Sequence, residues 1–464
     1  MKLLIFLVLC IGYTWARQTD YCYAHDSDPY LKFGSVTAFQ ADRNEYRPIP
    51  YCEARQIWML SRHGNRYPHD AITQDLKGLG NVRDQIFVNH RSQRLGQFNG
   101  HLCDEDLENF SKWSLNVNMT MQMTRELTPE ASRQTKSIAR QIRAGFPNLF
   151  PFDLGDKLQN YVFRATKSQS TQATLQEFMV GLVIRSTPIE PEMNDTLLQA
   201  YQCCSHWKDG DENDPHHSKE LTEFLRGHEF SVLIRNVSSR LGYGYDLSAD
   251  TILHMYDMCR YDAALDTERV SPWCAAFSKE QLKVLEYATD LQYFYNAGPG
   301  RNANKIIGCF ALKDMINRFR RIEENATGEP KGVFYFTHAF TILSFLQNLG
   351  AIDENEKLTA ENYRSMMNRK WRTSNLVPFN ANIVAVFYKC SGGQDQVMFY
   401  MQGKQMRLPG CDVGLCRWDY LKEKLAEALS QCTEDKCYGR SGSLISQSLI
   451  SLIAILSIGS ILLK

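Results

Sequence analysis

Short apolar runs alternate along this chain with longer stretches in which apolar residues recur every three or four positions. The first run after a polar, turn-rich arm from Arg17 to Pro50 is Ile57-Trp58-Met59-Leu60. Unbroken by polar residues and rich in β-favouring types, it predicts a buried strand. Gly64 and Pro68 close it, because glycine frees the backbone for a turn and proline cannot continue a strand. No sheet pattern follows until about Thr128, and helical pieces with loops are expected there. Ala131, Thr135, Ile138, Ile142 and Phe146 then recur at helical spacing between Pro129 and Pro147, residues that start and stop a helix. Tyr161-Val162-Phe163 predicts a strand, and Leu175, Phe178, Met179 and Leu182 an amphipathic helix. Gly332 to Phe336 is a further buried strand, followed by an apolar helix to Leu349. Ala381 to Tyr388 and Val397 to Tyr400 are two more strands, with Gly392-Gly393 turning between them.

Strands alternating with helices predict an α/β fold, a central, mostly parallel sheet flanked by helices. Between about Glu190 and Glu329 helical segments dominate. The expected organisation is therefore an α/β domain formed by 17–189 and 330–438, with 190–329 inserted as an α-helical cap and 71–128 contributing partly to it.

Composition changes the picture at the ends and in the cysteines. Met1-Lys2 precedes an apolar stretch, Leu3 to Ile11, too short to span a bilayer, and Thr14-Trp15-Ala16 offers a cleavage position. Residues 1–16 are expected to be a signal peptide. Asn109, Asn118, Asn194, Asn236 and Asn325 begin N-x-S/T sequons, the acceptors of a secretory route. Leu449 to Leu463 is a second short apolar run, preceded by small residues around Ser441. Segment 439–464 is expected to be a GPI-attachment signal with Ser441 as the attachment site, the alternative being a retained tail anchor. The expected location is the extracellular face of the plasma membrane, or secretion. Fourteen cysteines, thirteen after loss of the signal, fit an oxidising compartment and leave at least one unpaired. Cys411 with Cys416, and Cys432 with Cys437, are close pairs suited to local disulfides. Acidic and basic residues balance at 52 each, which gives no electrostatic reason to expect a nucleic-acid partner. Positive charge must be concentrated locally if it matters. His216-His217 sits in a polar loop without further ligands at metal spacing, so no metal is expected there.

The local concentration is Arg62-His63-Gly64-Asn65-Arg66-Tyr67-Pro68, immediately after the first strand. Guanidinium forks bind phosphate oxygens in pairs and do not lose their charge. Their field disfavours an imidazolium, so His63 stays neutral and nucleophilic. The residue set points to a phosphohistidine, with His63 attacking phosphorus while Arg62 and Arg66 hold the oxygens.

The heptapeptide R-H-G-x-R-x-P resembles the signature of the histidine acid phosphatase superfamily. Leu127-Thr128, Phe146-Pro147, Thr337-His338-Ala339, Leu358-Thr359-Ala360, Met367-Asn368-Arg369-Lys370 and Leu376-Val377-Pro378 further resemble its multiple inositol polyphosphate phosphatase branch, from about Cys52 to Cys437. The resemblance implies a histidine-phosphatase-like sheet with a helical cap, and hydrolysis of inositol polyphosphates and of 2,3-bisphosphoglycerate without metal or cofactor. It implies His63 as nucleophile, His338 as a phosphate-stabilising histidine, and disulfides Cys52–Cys390 and Cys259–Cys274.

Two positions depart from that pattern. The branch follows its second histidine with Ala-Glu, the glutamate being the proton donor; here the triplet is His338-Ala339-Phe340, and phenylalanine has no proton to give. The position of a third phosphate-binding arginine is Ser170, with Lys167 and Arg164 as its candidate replacements. An attenuated phosphomonoesterase and a catalytically silent surface protein that binds phosphorylated ligands both fit these residues. The intact Arg62-His63-Gly64-Asn65-Arg66 favours the enzyme.

Overall fold

The strand nucleated by Ile57-Trp58-Met59-Leu60 runs from Cys52 to Arg62 (β1) and lies in the middle of one sheet. The others described are β2 Tyr161–Ala165, β3 Gly332–Thr337, β4 Asn382–Cys390, β5 Gln396–Met401, β6 Lys404–Gln405 and β7 Leu415–Arg417. Their order is β2-β3-β1-β4-β5-β6, with β7 paired to β5. This computed structural model describes residues 21–438 apart from 41–43, 45, 94–101, 117–118, 120–122, 124, 152–156, 185–189, 193–194, 206, 208–218, 267–270 and 353–355. The expected signal peptide 1–16, the sequons at Asn118 and Asn194, the His216-His217 loop and the C-terminal segment 439–464 with Ser441 lie outside the described residues.

The parallel arrangement holds for β2-β3-β1. The strands on the other side of β1 extend the sheet antiparallel; for β4 and β5 the short Gly392-Gly393 turn requires it, since only antiparallel neighbours can share so short a link. Successive residues of β1 point to opposite faces. Ile57 and Met59 pack with Phe178, Phe334 and Phe336, while Trp58 and Leu60 pack with Val333, Tyr335 and Phe345. All four are fully buried, so both faces are covered and the apolar run has no polar alternation.

One cover is the helix Pro129–Gly145 on the helix Gln169–Gly181, which lies against β2 and β3. The other is the pair Lys305–Glu323 and Ala339–Leu349, packed on each other and on β1. They approach closely at Gly308, where a Cβ would collide with the backbone at Phe345. The helix Thr196–Cys203 packs on that pair as well. Both ends of the segment read as a cap thus contribute helices to the sheet layer. The helices between, including Ala249–Leu265 and Lys279–Ala297, share the larger core with the helix Asp70–Lys77.

Six disulfides occur among the described residues: Cys22–Cys103, Cys52–Cys390, Cys204–Cys437, Cys259–Cys274, Cys309–Cys432 and Cys411–Cys416. Cys203 belongs to none of them. The expected local pair Cys432–Cys437 does not form. Cys432 follows the helix Trp418–Ser430, which packs on Lys305–Glu323 and so meets Cys309. Cys437 lies in a separate short helix, Glu434–Tyr438, and joins a core with Ala200, Cys204 and Ile307. Of the described sequons, Asn236 and Asn325 are exposed and Asn109 is half-buried.

Candidate active site

Strand register brings the two histidines together. Arg62 pairs with Thr337 at the carboxyl end of the parallel β1–β3 ladder, so the next residue of each strand leaves the sheet at the same edge. His63 N–H donates to Thr337 O at 3.2 Å, and the His63 and His338 rings meet edge to face at 5.3 Å. On the far side of β3, Thr166 N–H donates to Phe336 O at 3.2 Å, while Thr166 Oγ1 lies 3.2 Å from His338 Nε2. Three strand ends thus converge where ligands of open α/β sheets gather.

Packing demands the glycine of the motif. A Cβ on Gly64 would lie 2.8 Å from Ala131 Cβ and 3.2 Å from Asn380 Oδ1. The Gly64 N–H donates to Thr174 Oγ1 at 3.0 Å, and the buried Asn65 Nδ2 donates to Ala264 O at 2.6 Å. His63 Nδ1 is 3.0 Å from Gly64 O. A carbonyl only accepts, so Nδ1 carries the proton and Nε2 keeps the lone pair.

The electrostatics preserve that lone pair. Burial pushes the His63 imidazole well below its usual 6.5, and Arg62, Arg66 and His338 push it further. Burial, then Arg66, Arg62 and Arg125, pulls His338 down to about 3. Arg62 is itself lowered to about 10, chiefly by burial, and still remains charged across the physiological range. Its Nη1 donates to Ser35 O and Val377 O, each at 2.5 Å, and its guanidinium lies 4.8 Å from the Phe379 ring centre. These anchors are neutral and leave the positive charge uncompensated. The buried Arg62 Nε has no acceptor among the described residues, and a ligand oxygen can satisfy such a donor.

The cleft over these groups has a volume of about 470 Å³, within the range of small-molecule sites. Arg62, His63, Arg66, Lys167 and His338 all line it. Phe340 lines it too, its ring 5.4 Å from Tyr201 and 5.5 Å from Tyr293. Ser170 does not; it is buried in the first turn of Gln169–Gly181, its Oγ 2.9 Å from Ser168 Oγ. Arg164 is excluded as a phosphate ligand. It points to the opposite side of β2 from the buried Phe163, over the Tyr335 ring, and pairs with Glu192 at 2.6 Å and Asp195 at 3.0 Å. Strand alternation decides this: Arg164 and Lys167 are three residues apart, but only Lys167 lies beyond the strand end.

Sequence reasoning missed His69, Arg125, Gln199, Tyr201 and Tyr293, which also line the cleft. Gln199 and Tyr201 share the helix Thr196–Cys203, while the other three come from separate segments. His69 was the most accessible, one residue beyond the heptapeptide. Among the described lining residues there is no aspartate or glutamate.

The family model described as the histidine phosphatase superfamily, branch 2, matches residues 53–402. Among curated proteins, multiple inositol polyphosphate phosphatase 1 of Drosophila melanogaster is 31% identical over 449 residues, covering 94% of each chain. Among solved structures, the phytase from D. castellii superposes with a TM-score of 0.66 at 18% identity, covering 89% of this chain and 87% of that one. The Bifidobacterium longum multiple inositol polyphosphate phosphatase in complex with inositol hexasulfate gives 0.62 at 14% identity, covering 89% and 100%.

Proposed function

The chain belongs to branch 2 of the histidine phosphatase superfamily, and from that premise we propose that it hydrolyses phosphomonoesters of inositol polyphosphates, with 2,3-bisphosphoglycerate as a second substrate. The observation that carries the reading is the tautomer of His63: Nδ1–H held by Gly64 O leaves Nε2 as nucleophile between Arg62 and Arg66. The arginines hold the phosphoryl oxygens, and His338 donates a hydrogen bond to them as charge builds. Nε2 bonds to phosphorus, the ester oxygen leaves, and water then cleaves the phosphohistidine. No cofactor takes part in these steps. Phosphate release from inositol hexakisphosphate by the purified chain, compared with His63→Ala, is the test. The variant loses turnover and keeps ligand binding; equal turnover in both rules out the phosphohistidine.

A second reading is favoured by the cleft wall. Phe340 stands between two tyrosines with no carboxylate among the described lining residues, which suits a surface protein that binds phosphorylated ligands without turning them over. Binding of inositol hexakisphosphate with no phosphate release from any ester would establish it.

The proposal extends to location. Six disulfides, the exposed Asn236 and Asn325 and the terminal patterns around Leu3–Ile11 and Ser441 support a glycosylated ectodomain held by a GPI lipid. Phosphatidylinositol-specific phospholipase C then releases it from cells; retention after treatment contradicts the lipid anchor.

A further inference from the structure

The cleft contains more positive charge than one phosphate needs, and no acid among its described lining residues. Arg62 and Arg66 already match one transferred phosphoryl group. Arg125 and Lys167 line the same cleft, and Arg125 is close enough to depress both His338 and His69. No carboxylate among the described residues pairs with Arg125. It is exposed and holds a left-handed backbone at φ 63°, a conformation that residues near ligand sites commonly carry.

The protein's own proton sources are poor. Phe340 has none. Burial pushes the Tyr201 phenol up, so it holds its proton more tightly. His338 and His69 are both shifted towards the neutral form, and His63 is the nucleophile.

We propose that the phosphate next to the one being transferred supplies the proton that Phe340 cannot, and that Arg125, with Lys167 and His69, holds this second phosphate. The inference rests on the phosphohistidine reading above and narrows its substrates to esters with vicinal phosphates. The His63 Nε2 lone pair forms the N–P bond as the P–O ester bond breaks. The departing electron pair stays on the substrate oxygen, which takes the proton of the monoprotonated neighbouring phosphate. The products are an alcohol, a neighbouring phosphate dianion and phosphohistidine. A water molecule then attacks phosphorus and gives its proton to solvent, and His63 leaves neutral with inorganic phosphate released. Phosphate monoesters have a second pKa of about 6, so the donor form is well populated in mildly acidic solution.

The experiment compares kcat at saturation for 2,3-bisphosphoglycerate, glycerol 2-phosphate and p-nitrophenyl phosphate. A phenolate leaves without a proton, so p-nitrophenyl phosphate reports nucleophilic attack alone. The expected result is 2,3-bisphosphoglycerate turning over about 100-fold or more faster than glycerol 2-phosphate, the usual worth of a general acid. Phe340→Glu, which gives the protein an acid, should raise glycerol 2-phosphate turnover by about 100-fold and 2,3-bisphosphoglycerate turnover by only a few-fold. Arg125→Ala should lower turnover of the bisphosphate more than that of p-nitrophenyl phosphate. Equal wild-type turnover of the two alkyl esters overturns the inference, and this comparison needs no variant to fold. Equal gains for both from Phe340→Glu, or equal losses for both from His69→Gln, overturn it too. Absence of His63-dependent turnover of p-nitrophenyl phosphate overturns the phosphohistidine reading itself, and this inference with it.

Discussion

Arg62 and Arg369 are buried to the same degree, 5% and 6% exposed, yet their surroundings are opposite. Arg369 is enclosed by acids. Its Nε donates to Asp290 Oδ2 at 2.7 Å, and its Nη2 reaches both Asp290 and Glu286. Burial would lower the Arg369 guanidinium, but Asp290 and Glu286 outweigh it and raise it. Thr373 and Ser374 satisfy the remaining carboxylate oxygens, and the Tyr30 hydroxyl and Arg372 share Glu286 Oε2 with Arg369. Arg62 has only carbonyls and an aromatic face, and its affinity for the proton falls. A structural cation is neutralised within the fold, whereas a binding cation is held by neutral groups so that its charge is left for the ligand. The first joins the helix Lys279–Ala297 to the segment around Thr373; the second exists for something the protein does not itself contain.

Breaking each arginine in turn should separate the two roles. Arg369→Met leaves Asp290 buried without its cation and Glu286 with only the more distant Arg372 at 3.7 Å, and should cost about 3–5 kcal/mol in chemical denaturation. A loss under about 1 kcal/mol would mean that the cluster is not a structural ion network. Arg62→Met removes charge-assisted bonds to phosphate worth about 1.5–3 kcal/mol, a 10- to 100-fold loss of inositol hexakisphosphate affinity by calorimetry. Its effect on folding should be smaller, about 1–3 kcal/mol, since the bonds to Ser35 O and Val377 O are lost but no buried carboxylate is left unpaired. If instead it unfolds the chain as readily as Arg369→Met, the distinction between the two environments fails.

Acid sharpens the same contrast at smaller amplitude. His63 and His338 are kept neutral when folded, but protonate near 6.5 in the unfolded chain. Their contribution is fully present above that pH and is lost as pH falls, by up to about 1.4 kcal/mol per unit for each histidine. For His338 the loss continues towards its folded value of about 3. Asp290 has the opposite sign. Burial raises its carboxyl to about 6, against the pull of Arg369 and with the help of Glu286. The folded state therefore holds that proton longer, and stability from this group declines as pH rises from about 4 to 6. Denaturation at pH 7 and pH 5 should show a smaller acid loss in His338→Ala than in wild type. An equal loss would show that His338 is not held neutral by the fold.

Much of this was readable along the chain, because neighbouring residues carried it. The apolar run Ile57–Leu60 announced a buried strand, and Arg62-His63-Gly64-Asn65-Arg66 put nucleophile and clamp on one covalent stretch. His338 was named through the Thr337-His338-Ala339 resemblance, and the parallel pairing of β1 and β3 explains why it emerges at the same edge as His63. Phe340 and Ser170 could be identified as unusual without any coordinates.

What chain order could not supply was partner choice across distance. Cys432 and Cys437 are five residues apart, yet each is buried against a different helix and bonds to Cys309 or Cys204. Arg164 and Lys167 looked equivalent until strand alternation turned one to Glu192 and Asp195 and left the other at the cleft. The carbonyls that hold Arg62 come from Ser35 and Val377, far apart in sequence and with nothing in their side chains to signal the task. Backbone groups look alike in every residue. Only packing decides which of them an arginine meets, and therefore whether its charge is neutralised within the protein or kept for a phosphate.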